Sequence, residues 1–274
     1  MVFCDCAYTQ PGNIDSKIGA MAKAGYPAGQ LREVCASQTA RGIDAAIVDL
    51  RVEAAAKGTP ASEVKLMADA VVLVIRNGAN ALTNDPDMAD KMLAEHQGLD
   101  YDEFTKPRKE VLTARSRRML FFAEEGCPAD MAKGLNTVIP WSSVPANAKC
   151  HHALKELLGT TDANYAVASH YFDTKEGGIG WHGDAERRQT IMVRLGAVSN
   201  TRPLHFVWCH KSKSISPPIT IKLQHGDVVV FSEKAMGTDW RCSSILTVKH
   251  GTGCPTGNSV LKKLPGAAKK RKRV

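Results

Sequence analysis

The sequence predicts an α+β protein in which an N-terminal helical region, residues 1–110, precedes a jelly-roll core. Three observations support this prediction. Before residue 110, apolar residues recur at helical spacing, as at Ile43, Ile47 and Leu50. After about residue 111, short β-forming runs alternate with Gly, Pro and polar turns. With 274 residues, the chain is long enough to bury a full core.

The helical region is expected to serve as a platform for the segment that follows. Met67, Val71 and Val74 repeat the helical spacing, and Ser62 is predicted to cap the helix that contains them. Another helix is predicted from residue 85 to about residue 96. The region carries no residue pattern that indicates chemistry.

Residues 111–254 are predicted to form the jelly-roll domain. Gly226 and Asp227 are expected to make a tight turn that feeds a buried strand. A helix is predicted at residues 148–158. Strands are predicted at residues 118–122, 136–140, 165–172, 189–196, 204–208, 219–223, 228–231 and 245–248.

Residues 255–274 are predicted to be a basic, disordered tail. The net charge is +8, but residues 262–274 hold seven Lys and Arg and no acid, which leaves 29 basic and 28 acidic residues in the body. The two basic clusters of this tail resemble a two-part nuclear localisation signal. We therefore expect a nuclear protein, with or without a cytoplasmic pool, whose tail meets the nuclear import machinery. The longest apolar run, residues 70–75, is too short for a membrane span, so no membrane partner is expected.

The strongest chemical signal is the segment 180–186, Gly-Trp-His-Gly-Asp-Ala-Glu. His182 and Asp184 are two residues apart, at the predicted end of one strand. An imidazole and a carboxylate can occupy two facial positions of a mononuclear Fe(II) and leave other positions open for a co-substrate and O₂. The pair is therefore a candidate metal site.

The order of several motifs resembles the AlkB-like branch of the Fe(II)/2-oxoglutarate-dependent dioxygenases. Tyr171 is followed by the segment 180–186, by an apolar strand ending at Gly196, and by His-Gly-Asp-Val-Val-Val-Phe at 225–231. Flanking stretches resemble an uncharacterised AlkB-like group found in large algal DNA viruses, and the likeness covers about residues 70–254.

This resemblance implies a double-stranded β-helix, Fe(II), 2-oxoglutarate and O₂, with oxidative demethylation or hydroxylation as the reaction. By position, His182 and Asp184 match the first two iron ligands, and Tyr171 matches a tyrosine that contacts 2-oxoglutarate. The expected substrate is a nucleic-acid base. A protein hydroxylase of the prolyl type and a non-catalytic binding module tethered in the nucleus are the alternatives.

The third iron ligand is where the sequence departs from the family pattern, because residues 232–244 contain no His. One alignment makes His250 the third ligand and Lys262 the partner of the co-substrate carboxylate, and it requires an inserted hairpin at residues 233–243. The other makes residues 245–249 the last strand and leaves Asp239 as the nearby ligand, with Arg241 or Lys249 as the anion partner. Residue type favours His250.

Overall fold

A computed structural model of the protein describes residues 1–8, 17–105, 112–114, 116–173, 177–197, 202–242, 244–253 and 264. The strands, numbered in chain order, are β1 (Val2–Cys4), β2 (Cys6–Tyr8), β3 (Lys17–Gly19), β4 (Ala45–Asp49), β5 (Val71–Ile75), β6 (Phe104–Thr105), β7 (Leu112–Thr113), β8 (Arg117–Ala123), β9 (Val138–Pro140), β10 (Tyr165–Tyr171), β11 (Gly178–His182), β12 (Thr190–Val193), β13 (Leu204–His210), β14 (Lys213–Ser214), β15 (Ile219–Ile221), β16 (Val228–Phe231) and β17 (Thr247–Gly253). The helices are α1 (Ala28–Ala40), α2 (Leu50–Ala56), α3 (Ala61–Val64), α4 (Gly78–Thr83), α5 (Met88–Gln97), α6 (Pro145–Leu158) and α7 (Glu233–Met236).

Two sheets organise the described chain. The larger has eight strands in the order β4-β5-β16-β12-β1-β10-β8-β9, antiparallel except for the β8–β9 pair. The smaller has five strands, with the order β11-β17-β13-β14 and β15 paired to β13. The structure is thus a strand-rich mixture of sheets and a few helices, which confirms the α+β prediction at this level.

The core lies on both faces of the larger sheet, because successive residues of a strand point to opposite faces. Leu73 of β5 packs in one cluster with Leu31 of α1, Met92 of α5 and Leu154 of α6. Val74 packs in a second cluster with residues of the smaller sheet. The molecule therefore has three layers, with helices α1, α4, α5 and α6 on one face of the large sheet and the small sheet, together with α2 and α7, on the other.

Most predictions of individual strands, helices and turns after residue 111 are confirmed. Eight observed strands and α6 overlap the predicted runs, with ends shifted by a few residues. The predicted turn before β16 is also present, with Gly226 at φ +82°. Asp227 is buried there, accepts hydrogen bonds from the backbone of Asn77 and Gln224, and forms an ion pair with Arg76 at 2.5 Å.

The helical interpretation of much of the first 110 residues is wrong. The segment around Ile47 is strand β4, and Val71 and Val74 belong to strand β5. Ser62 lies inside α3, whose N-cap is Pro60, and not at the cap. The sheet therefore takes strands from both sides of residue 111, since β1, β4 and β5 join β10, β12 and β16. Helix α5, by contrast, is present close to its predicted span of 85–96.

For β5, the physical reason for this error is burial on both faces. All five residues of β5 are at most 2% exposed, so the strand shows an unbroken apolar run rather than an alternation. Three apolar positions at helical spacing are found in any such run.

Within the described chain, no helix is both long enough and apolar enough to cross a lipid bilayer.

Candidate metal centre

Two neighbouring strands of the small sheet bring three metal-ligating side chains together. His182 is the last residue of β11 and lies opposite His250 of β17 in the antiparallel register. Asp184 follows two residues after His182, and its backbone N–H donates to the carbonyl of Met236 at 3.1 Å. Residues 68 positions apart in sequence thus meet through ordinary strand pairing.

The ligand atoms of the three side chains converge. Nε2 of His182 lies 3.3 Å from Oδ1 of Asp184, and Nε2 of His250 lies 3.9 Å from Oδ2. All three ligand atoms lie within 4.8 Å of one another. Metal–ligand bonds of about 2.1 Å place neighbouring ligands about 3 Å apart, so a small inward movement would close this cluster around one ion. The three residues form a possible metal site.

The surroundings of the two imidazoles prepare them to act as ligands. Nδ1 of His182 lies 2.7 Å from the carbonyl oxygen of Gly180, which requires the proton on Nδ1 and leaves the Nε2 lone pair for a metal. His250 is 6% exposed and packs against Phe206 and Phe231, with ring centroids 6.1 and 5.3 Å away. The aromatic rings fix its orientation and exclude water from that side.

Charge is balanced around the carboxylate. Burial acts to raise the pKa of Asp184, but Arg187, His182 and His250 together hold it well below its usual range. The guanidinium Nε of Arg187 lies 3.6 Å from Oδ2, and the Arg187 side chain is largely buried. This contact was not identified from the sequence. Only the three-residue spacing to Asp184 could have indicated it.

The pKa values of His182 and His250 are shifted in opposite directions. Burial, together with the nearby His182, lowers the pKa of His250 to about 3, so this ring is neutral at physiological pH. For His182, burial acts to lower the pKa, but the hydrogen bond and charge of Asp184 outweigh it and raise the pKa. Without a metal, the centre therefore holds one neutral imidazole and one imidazole that attracts a proton.

The alternative ligand Asp239 is engaged elsewhere. Its carboxylate accepts from the Lys234 ammonium at 2.5 Å and from the Thr247 hydroxyl. The hairpin predicted at residues 233–243 is wrong, because α7 and a series of turns occupy the described part of this segment. Helix α7 and the turns after it connect β16 to β17, so β17 brings His250 to the centre without an inserted pair of strands.

The predicted co-substrate residues differ in how far they can be placed. Tyr171 is the last residue of β10 and lines a cavity of about 440 Å³. The predicted carboxylate partner Lys262 and the basic tail lie outside the described residues. Two arginines that sequence reasoning missed, Arg194 and Arg202, line the same cavity. Their signal was weak, since Arg194 only appears as one charge inside an apolar run.

Comparison with known proteins gives one informative match. No family model matches the chain. The "Uncharacterized protein R156" of Acanthamoeba polyphaga mimivirus is 30% identical over 256 residues, which cover 93% of this chain and 94% of that protein. The match is to a viral protein, which is consistent with the expected relation to a group in large algal DNA viruses, but its name assigns no activity and gives no support for an AlkB-like dioxygenase. The chain therefore belongs to the family that includes this mimivirus protein.

Proposed function

We propose that the protein is an Fe(II)/2-oxoglutarate-dependent oxygenase, AlkB-like in architecture, that acts on a nucleic-acid base. The observation that carries the proposal is the convergence of His182, Asp184 and His250. Two imidazoles and one carboxylate on one side of an ion are the ligand set that suits Fe(II) oxygenases. The donor atoms are close enough and suitably buried for such an ion.

The strand order supports a double-stranded β-helix. From β10 to β13, consecutive strands alternate between the large and the small sheet, and β16 and β17 do so again. This alternation is the pattern expected when two sheets wind around a common core. One departure concerns the N-terminal strand, because β1 lies between β10 and β12 in the large sheet.

The chain's own residues would supply binding, orientation and shielding. His182, Asp184 and His250 would hold Fe(II) on one side, and bound Fe(II) supplies the O₂ chemistry that amino-acid side chains lack. Arg187 offsets the charge of Asp184 and holds its carboxylate in place. Phe206 keeps one wall of the centre dry.

The surface beside the centre supports a nucleic-acid substrate. Trp240 lies against Gly183, which is the residue between His182 and Asp184. The Arg241 guanidinium and the Lys249 ammonium lie 5.5 and 5.1 Å from the Trp240 ring centroid. Both cations lie over the ring, so a base would stack on Trp240 by displacing one of them, and the displaced cation would meet a phosphate. Trp208, by contrast, is fully buried and its Nε1 donates a hydrogen bond to the carbonyl oxygen of Leu50, so it belongs to the core.

The test is turnover with defined substrates. Protein loaded with Fe(II) is expected to convert 2-oxoglutarate to succinate when given an oligonucleotide with methylated bases. H182A, D184A and H250A are expected to fall to the background rate, whereas H152A, which changes an exposed histidine, is expected to match the wild type. Preferred turnover of a proline-containing peptide would favour the protein hydroxylase. Metal binding without turnover of either substrate would favour the binding module.

Nuclear localisation through the basic tail is a separate part of the proposal. Seven basic residues in the last thirteen positions support it. Deletion of residues 269–273 in a fluorescent fusion is expected to move the protein from the nucleus to the whole cell. An unchanged image would contradict the assignment. Replacement of the five exposed residues Lys23, Lys57, Lys65, Lys211 and Lys213 by Gln removes the same number of positive charges elsewhere and is the control.

A further inference from the structure

The cavity that Tyr171 lines begins close to the metal centre. Thr252 lines this cavity and lies two residues after His250 on β17. The side chains of Thr252 and His250 therefore point to the same face of the sheet, about 7 Å apart along the strand. Ile179 of β11, the cross-strand partner of Thr252, also lines the cavity. The cavity and the metal centre therefore occupy successive positions along one pair of strands.

Arg194 is the unusual residue of this cavity. It directly follows β12, and its Nη2 donates to the Thr252 hydroxyl at 3.2 Å. Its Nε is shielded from solvent without a hydrogen-bond partner, and Arg194 forms no ion pair with any residue that the structure describes. A shielded guanidinium without a carboxylate is costly to keep in a fold. It is the arrangement expected of a site that receives an anion.

A second guanidinium strengthens the positive character of the cavity. Arg202 is 1% exposed, and its guanidinium lies over the Tyr171 ring, 4.4 Å from the centroid. It donates to the carbonyls of Asp173, at 2.7 Å, and Gly177. Burial lowers the pKa of Arg194, Tyr171 acts in the opposite direction, and the charge of Arg202 adds a smaller lowering. An anion near Arg194 would relieve both lowering effects.

We infer that the cavity binds a small dicarboxylate and that Arg194 is the residue that takes one of its carboxylates. The cavity combines apolar walls from Val167, Ile179 and Met192 with this cationic end. A dicarboxylate fits because the second carboxylate can lie towards the metal centre, one strand repeat away. The inference rests on the proposed function, since 2-oxoglutarate is such a compound. It departs from the resemblance, which places the carboxylate partner on the last strand.

The test is equilibrium binding of succinate to the metal-free, full-length protein by calorimetry, because succinate needs no turnover. Wild type is expected to bind, and R194Q to bind at least tenfold more weakly, since a charged hydrogen-bond partner is lost. R194K, which keeps a point charge, is expected to fall between them. R51Q changes an exposed arginine that does not line the cavity and is expected to match the wild type.

Thermal unfolding separates loss of the ligand from loss of the fold. Without succinate, R194Q is expected to unfold at the same or a higher temperature than the wild type, because an uncompensated buried charge has been removed. With succinate, only the wild type and R51Q are expected to gain stability. Equal succinate binding by wild type and R194Q, or no binding by either, would overturn the inference. Tighter binding of inorganic phosphate than of succinate would also overturn the dicarboxylate assignment.

The H182A variant distinguishes this inference from the proposed function. It is expected to lose metal while it still binds succinate, because the carboxylate partner is Arg194. If the wild type binds succinate and no Fe(II) or Mn(II), the proposed function fails and the inference stands. If it binds metal and turns over 2-oxoglutarate while R194Q retains full succinate affinity, the inference fails and the proposed function stands.

Discussion

At the residue scale, Gly183 shows how closely the centre is packed. It separates His182 from Asp184, and a Cβ atom there would collide with the carbonyl oxygen of Gly237 and approach Cδ1 of Trp240 at 2.8 Å. Because backbone atoms cannot give way as a flexible side chain can, any added side chain must displace the 182–184 turn. The position therefore links the shape of the turn to the convergence of the ligands.

We predict that G183A lowers the affinity for Mn(II) at least tenfold and lowers the melting temperature. The added methyl group forces Asp184 away from the two imidazoles. Calorimetric titration with Mn(II) measures the first effect and thermal unfolding the second. The control is G29A in α1, where an added Cβ meets no atom within 4 Å. That variant is expected to keep its metal affinity and to gain about 0.5–1 kcal/mol of stability. Unchanged metal binding by G183A would contradict the proposed role of the turn.

Two of the three candidate metal ligands were easier to predict from the sequence than the third, and the reason is physical. His182 and Asp184 are neighbours, so their shared direction follows from local geometry alone. His250 could be favoured only by its residue type, because its approach depends on the path of the chain through α7 and β17. Arg194 could not be recognised, since nothing local distinguishes a half-buried arginine without an ion-pair partner among the described residues from an exposed one.

At the element scale, helices α5 and α6 are joined by a buried histidine. Nε2 of His96 donates to Oδ1 of Asn147 at 3.1 Å, and Nδ1 accepts from the Tyr101 hydroxyl at 2.9 Å. Burial lowers the pKa of His96 to about 4. The histidine is therefore neutral in the folded protein at pH 6, whereas in the unfolded chain it is partly protonated.

This difference predicts a pH-dependent stability. A depressed pKa means that the unfolded chain binds more protons than the folded one between about pH 6.5 and pH 4. The contribution of His96 is fully present above about pH 6.5 and is lost as the pH falls, by up to about 1.4 kcal/mol per pH unit. Urea unfolding at several pH values is expected to show a shallower dependence for H96Q than for the wild type. H152Q, at an exposed position, is the control, and an equal slope for H96Q and wild type would contradict the assignment.

Prediction from periodicity worked for helix α6, which is buried on one side, and failed for strand β5, which is buried on both faces. The helix α6 shows a clear apolar stripe, with Cys150, Leu154 and Leu158 buried at four-residue spacing. The strand β5 is buried on both faces, and its five apolar residues carry no period that excludes a helix. Its run of β-branched residues was the better signal.

At the scale of the whole molecule, the arrangement of the sheets depends on contacts that are distant in sequence. Strand β1 pairs with β10 and β12, so residues 2–4 lie between strands that begin at residues 165 and 190. No local pattern identifies such partners. The sequence therefore predicts eight of the eleven described strands that follow residue 111, and it cannot predict that the N-terminal strand lies among them.

The central claim is that the two sheets bring His182, Asp184 and His250 to a single metal ion. The most direct measurement is a crystal structure of the full-length protein grown with Mn(II) and examined by anomalous scattering. We predict one strong peak within about 2.3 Å of both Nε2 atoms and an Asp184 carboxylate oxygen. A peak elsewhere, or none with the three side chains pointing apart, would contradict the account.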